Sequence, residues 1–594
     1  MIFGWASMLT MGLMMVLVTA TETEIASTVS TDSSASPSVT ATAVTGTAAT
    51  ATASVTSFAD NSSQYNMLQF TIGEGDRFYN HHFQVGDNIV DLRLDIIQPD
   101  LWVLNKNSFM NCSYIQSWLS SEHSVYSDST LLPSSVTTAS EYTISMCAAG
   151  GGYILPTNAP QPVNNPSLSN NLARVIPYVD GISASGQWQT NNIKYNISNG
   201  STITFNNFTF VNANESSVAF GGLGLAGSSL NNGFLYQLYN QNSIKSPGYS
   251  IFFNNNTADL IPGVIDQKFY DGDFYVYPSL PFQNLRFLNN PTANQAINEL
   301  NIPSIQLDNI QITNEVTKQS IDLTSGPLPV VLDTRSTFNY VPLDILVNLA
   351  IQTNAFYSND ASRWIVECDV IQNSNSTLNF NIGQLNIKIP LNLFIVPAVY
   401  LGKNLKFKGG EKACYLNFLP TAFNGVDCLG LKVLNHLYLA VDNEGKNIAL
   451  GLASRENDQE NNDVNDDYQS LPSQKSSNTT TIGDIESGTI PFATKASYST
   501  TLTLTFSPLA KSSFNGGDIP ARFTGAVISG NEIYILGDNS LYSTVSAATQ
   551  NSSNSVQALA NSLVNPIQYV QSLSRTSIIH SAIFMISFIG LLLL

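Results

Sequence analysis

No lysine or arginine occurs before Arg77, and charged residues make up only 11% of the 594-residue chain. The charges that exist are mostly acidic, 43 Asp and Glu against 24 Lys and Arg, for a formal net charge of -19. Phosphate binding needs clustered cations, so nucleic acid is excluded as an expected partner. With so little charge and so much Ser, Thr and Asn, solubility is expected to come from sugar. Histidine is also scarce, with five in all. No GxSxG occurs, so a Ser-His-Asp hydrolase is not expected. His81-His82 has no acid or cysteine cluster beside it in the sequence and reads as a surface pair, so no metal is expected. Gly221-Gly222-Leu223-Gly224 has no following lysine. It reads as a turn rather than a phosphate loop, and no cofactor is expected. Cysteine is limited to Cys112, Cys147, Cys368, Cys414 and Cys428. In an oxidising compartment that composition predicts two disulfides and one spare thiol.

The first twenty residues, MIFGWASMLTMGLMMVLVTA, form an apolar run followed by polar sequence, with Val18 and Ala20 ahead of the change. This reads as a secretory signal peptide that lacks a basic start; the alternative is a membrane anchor. At the other end SIIHSAIFMISFIGLLLL, residues 577–594, is a hydrophobic tail behind a Ser/Asn-rich spacer. It reads as a GPI-attachment signal, with a tail anchor as the alternative. Asn551 and Asn554 have small followers but a long spacer; Asn561 has the better spacing, but Leu563 is a poor second follower. N-x-S/T acceptors begin at Asn61, Asn111, Asn196, Asn199, Asn207, Asn214, Asn255, Asn375, Asn478 and Asn551. Together these features predict a secreted glycoprotein held at the outer plasma membrane.

Residues 21–64 are Thr/Ser/Ala-rich and cannot build a core, which suits a glycosylated stalk. From 65 to 453 short runs rich in Val, Ile, Phe and Tyr alternate with Asn/Gly/Ser turns, as in FTFVNAN, YSIFFNN and LNFNIGQLNIKIPLNLFIV. This is an all-β pattern. One helix is predicted, PLDILVNLAIQT at 342–353, entered through a proline. Residues 454–560 are polar again; their opening RENDQENNDVNDD reads as a solvated acidic run. PARFTGAVISGNEIYILGD, 520–538, could form one hairpin around Gly530-Asn531. Residues 561–594 complete the predicted anchor signal.

Two stretches carry candidate chemistry. LRLDIIQPDLWV, 92–103, brings Asp95 to the end of an apolar run, and VVLDTRSTFNYVP, 330–342, does the same for Asp333. One acid in each half suggests a duplicated unit meeting at a central cleft.

These stretches resemble the two active-site signatures of pepsin-like aspartic proteases. Between them IPYVDGISASGQW, 176–188, resembles the flap hairpin, and FGGLGLAGSS, PGVIDQKFYDGDF and the closing LYLAVDNEGKNIALGLA follow in the family's order. The Asp-Gly in the flap and DIESGTIPFATKASYSTTLTLTF, 484–506, are similar to the yapsins, GPI-anchored fungal members. The resemblance implies a bilobal all-β fold with its lobe boundary near 280. It implies disulfides Cys112–Cys147 and Cys368–Cys414, with Cys428 a buried free thiol. It implies that Asp95 and Asp333 share a proton and act as general base and acid on a polypeptide. Tyr178, Asp180 and Gly181 would lie against that substrate. Asp180 would either face a basic substrate residue or cap the hairpin.

The acid loops depart from the family pattern. Where the family has Asp-Thr-Gly, the first loop has Ile96 and Ile97, then Gln98 and Pro99 in place of two serines. The second keeps Thr334, Ser336 and Thr337 but has Arg335 for glycine. If Arg335 points at the acids it favours their charged forms and removes the shared proton; if it points outward the acids can still couple. The expected function is therefore a cell-surface, GPI-anchored aspartic endopeptidase of yapsin type with weakened activity, processing secreted or cell-wall proteins. The alternative is a protease-like binding or wall-organising glycoprotein, or a structural mannoprotein. Partners would be polypeptides or wall components, and the membrane through a GPI lipid.

Overall fold

The strand Asn88–Asp95 shows how the sequence builds the interior. Ile89 is exposed and Val90 buried, the alternation of a half-wet strand, but from Leu92 every residue is buried. The strand leaves the surface and ends covered on both faces. The computed structural model describes residues 66–72, 78–106, 152–155, 174–175, 184–198, 200–216, 220–228, 230, 232–254, 256–285, 300–400, 402–455, 481–497, 502–507, 519–520 and 523–535. The predicted signal, stalk and anchor segments lie outside them. Among the described residues no helix is long and apolar enough to cross a membrane.

The fold is all-β and bilobal, and its two halves repeat one arrangement. Asn88–Asp95 runs parallel to Gly221–Gly224, with Leu92 opposite Gly221 and Asp95 opposite Gly224. That glycine strand also pairs antiparallel with Leu101–Leu104, which follows the first acid loop. In the second half Leu328–Leu332 runs parallel to Cys428–Leu429. Cys428 in turn opposes Tyr340 of Asn339–Val341, which follows the second acid loop. Glycine permits the close crossing in both places. A Cβ on Gly224 would stand 2.5 Å from the Asp100 carbonyl oxygen, and one on Gly430 2.4 Å from that of Phe338.

A 14-stranded sheet runs through the first half and takes in the closing strands Leu437–Asp442 and Asn447–Ala453. Five-, four- and seven-stranded sheets form the second half. The predicted helix is present at Leu343–Thr353, after Pro342, and stops at Asn354 in the left-handed conformation.

Beyond 453 the chain returns to the domain. Ile482–Asp484 pairs with Val264–Asp266, and Leu504–Phe506 with Phe282–Asn284. The hairpin expected within 520–538 forms from Ala526–Ser529 and Glu532–Ile535, turning at Gly530. Its strands join the seven-stranded sheet of the second half. Ile485, Ile490, Leu504 and Phe506 are buried. The acidic run opening this segment lies outside the described residues from 456 onward.

Cys368 and Cys414 are bonded, and Cys428 is a buried free thiol. Cys112 and Cys147 lie outside the described residues. So do the acceptors at Asn61, Asn111, Asn199, Asn255, Asn478 and Asn551. Asn196, Asn207, Asn214 and Asn375 are all exposed.

Candidate active site

The first acid loop is held from inside. Asp95 is fully buried, and its Oδ1 accepts the Ile97 N–H at 3.2 Å. Ile96 and Ile97 both enter the apolar core, at 0% and 2% exposure. That is where their bulk goes. Gln98 braces its own turn: its amide accepts the Asp100 N–H at 2.8 Å and donates to the Asp100 carbonyl at 2.6 Å.

Across the dyad, the Thr334 hydroxyl donates to the Leu94 carbonyl at 3.0 Å and accepts the Ile96 N–H at 3.4 Å. One side chain thus ties the two acid loops together, and Ile96 has no hydroxyl to return the contact. Because Ile96 keeps a partner for its N–H, its substitution leaves that donor satisfied. Thr334→Val should leave the Leu94 carbonyl and the Ile96 N–H without this partner. A loss of about 1–3 kcal/mol is expected, measured by denaturant unfolding.

The second acid loop answers the question of Arg335. Its guanidinium turns inward, with the side chain 3% exposed. Nε lies 3.3 Å from Asp333 Oδ1 and 3.6 Å from Asp95 Oδ1. The Arg335 backbone N–H also donates to Asp333 Oδ1 at 2.8 Å. One nitrogen therefore faces both acids. Ser336 contributes to the turn rather than to the acids: its hydroxyl donates to the Phe338 carbonyl and accepts the Phe338 N–H.

A second guanidinium, not singled out in the sequence, meets the first acid. Arg93 is 5% exposed, and its Nη2 stands 3.4 Å from Asp95 Oδ2. Two residues apart on one strand, Arg93 and Asp95 share a face. That spacing was the signal available in the sequence. Burial holds the Asp95 carboxyl above its ordinary range against the pull of Arg335 and then Arg93, with the neighbouring Asp333 charge adding to the rise. The Cys428 thiol is pushed well up by burial and by the adjacent Asp333 carboxylate, so it stays protonated and unreactive. Tyr340, on the strand leaving the second loop, is pushed up to about 12, chiefly by burial.

The predicted flap residues Tyr178, Asp180 and Gly181 lie outside the described residues. Of the histidine pair, His81 bonds the Gln69 carbonyl and His82 meets Asp91. Neither is bonded to Asp95 or Asp333.

Two acid-ended strands, each crossed by a late parallel strand and linked through Thr334, define a pepsin-like fold with its pair of aspartates. The family model for eukaryotic aspartyl protease matches residues 164–454. The chain is similar to the yapsins and to other eukaryotic aspartyl proteases. It is 25% identical to aspartic proteinase yapsin-7 of Saccharomyces cerevisiae over 85% of each chain. It is 25% identical to yapsin-3 of the same yeast over 48% of this chain and 55% of that one. Against yapsin-3, then, the match spans about half of the relative. The crystal structure of an aspartic proteinase from Irpex lacteus superposes with a TM-score of 0.42 at 16% identity, over 65% of this chain and 98% of its own.

Proposed function

We propose that this chain is an aspartic endopeptidase of yapsin type, secreted or held at the cell surface, whose turnover on polypeptides is held low by Arg335. The observation that carries the reading is the pair of retained aspartates facing a single guanidinium nitrogen. Peptide hydrolysis by two carboxylates needs one ionised acid to activate water and one protonated acid to serve the carbonyl. Asp95, raised by its burial, is the acid that takes up the proton as pH falls. Asp333 is the base. Protonating Asp95 removes one of the two negative charges that draw Arg335 inward, so cleavage is favoured in acid. The first twenty residues as a signal, the 21–64 stalk, the glycan acceptors and residues 561–594 as a GPI signal belong to the same proposal. The substrates would be secreted or wall polypeptides.

A second reading, polypeptide binding without cleavage, is favoured by the burial of the Arg335 side chain between the acids. The test uses glycosylated ectodomain, residues 21 to about 550, with a peptide library from about pH 3 to about pH 7. Cleavage by the unaltered chain that disappears in Asp95→Ala, Asp333→Ala supports the first reading. No cleavage by the unaltered chain, with peptide binding retained, supports the second. Cleavage that survives the double substitution overturns both.

A further inference from the structure

We infer that Arg93 is a positioning residue for Asp95: from the core side it supplies a fixed positive charge in the place that a shared proton takes between two bare carboxylates. The inference rests, in its catalytic part, on the proposed role of Asp95 as the dyad's acid. The charge count carries it. Two carboxylates and two guanidiniums meet at this site, for a net charge of zero. Removing Arg335 would leave a net charge of -1, the charge of an aspartate pair that already holds one proton. With Arg93 in place, Asp95 can therefore stay ionised to lower pH than it could without it.

The surroundings leave Arg93 few other roles. Among the described residues its Nε has no hydrogen-bond partner, and its ion pair is with Asp95. The ring of Phe78 lies 5.8 Å from its guanidinium carbon. Among the described residues, the charged or titratable groups acting on Asp95 are Arg93 from its own strand, Arg335 and Asp333 from the second acid loop, and Tyr249 from the strand Gly248–Asn254. Tyr249 is buried and held protonated by that burial and the nearby Asp95 charge. On the core side, the cation beside Asp95 is Arg93.

The alternative is that Arg93 only fills space with its stem. The test compares Arg93→Met and Arg93→Lys in the intact chain by thermal unfolding at about pH 7 and about pH 4. Without Arg93 the folded-state pKa of Asp95 rises further above its unfolded value. An acid raised on folding stabilises below its unfolded pKa, and that contribution is lost as pH rises through the folded pKa. Arg93→Met should therefore lower Tm at pH 7 by at least roughly twice its effect at pH 4. Arg93→Lys should show no such pH dependence. Equal losses for Arg93→Met at both pH values would overturn the inference. A second comparison adds Arg93→Met to Arg335→Gly: the alkaline limb of peptide cleavage should move up by roughly one pH unit or more. An unmoved limb also overturns it. If neither variant cleaves, the proposed activity fails, and the unfolding comparison still decides the role of Arg93.

Discussion

Arg335→Gly combined with Ile96→Thr and Ile97→Gly should raise peptide cleavage in acid by about 100-fold or more over the unaltered chain. General acid–base catalysis contributes about that much, and the substitution restores the conditions for it. Arg335 Nε now faces both Oδ1 atoms, so a guanidinium stands where a water bound by both acids would have to sit. Glycine removes it. The threonine returns a hydroxyl opposite Thr334, and the second glycine relieves the loop of a side chain. The change carries a structural penalty with a defined pH dependence. Breaking a buried ion pair from one side costs about 3–5 kcal/mol, because the acids then keep only Arg93. Ile97 is 2% exposed, so its removal adds a cavity term of a few kcal/mol. The variant should therefore be least stable near neutrality and recover as Asp95 takes up its proton. Circular dichroism at the assay pH separates misfolding from inactivity. A variant that is folded yet no faster than the unaltered chain would remove Arg335 as the limit on turnover. Arg335→Gly alone, with both isoleucines kept, isolates the guanidinium from the loop.

The sequence made the acids and their setting legible, because each lies at the end of an apolar run and the two runs echo one another. The helix at 343–353 was legible for a similar reason: its apolar spacing is helical and Pro342 marks its start. The direction of Arg335 was not. A long side chain two residues from an acid can fold back or reach outward, and only the packing of the second loop on the first decides. Arg93 was legible in principle, since two residues along a strand return to the same face. A single charged residue within an apolar strand carries no signal of its own about whether it is buried or which acid it meets. The segment beyond 453 was hardest. Its strands are two to four residues long and borrow partners from sheets already built. Runs that short have no periodicity of their own, and the sequence around them is polar.

That segment supports the second large prediction: a chain ending at Arg455, where the protease-like sequence closes, should fail to fold as a stable monomer. Truncation there removes Ile485, Ile490, Leu504, Phe506, Ile519, Phe523, Ala526 and Ile533, all buried. Each large apolar side chain contributes about 1.5–3 kcal/mol when fully buried. Even at half that value the loss is comparable to the total stability of a domain, about 5–15 kcal/mol. Polar groups suffer as well. Buried Asp442 loses the Gly488 N–H at 2.6 Å, and Ser246 loses the Ile485 carbonyl at 2.9 Å. Two strands, Val264–Asp266 and Phe282–Asn284, become open edges prone to pairing with other chains. Size-exclusion chromatography should show aggregation, and thermal unfolding should lose its cooperative transition. A chain ending near 540 should behave like the full ectodomain. Stopping instead after Ser497 keeps the pairings made by 482–495 but removes the Ser507 N–H bond to the Gly425 carbonyl at 2.7 Å. Gly425 lies on the loop leading into Cys428–Leu429, the parallel partner of the strand that presents Asp333. If this intermediate chain folds, its dyad should be the less rigid one, and any peptide cleavage should fall before its Tm does. An Arg455-terminated chain that unfolds cooperatively at the unaltered Tm would show that the returning strands are an appendage rather than part of the fold that sets the second acid.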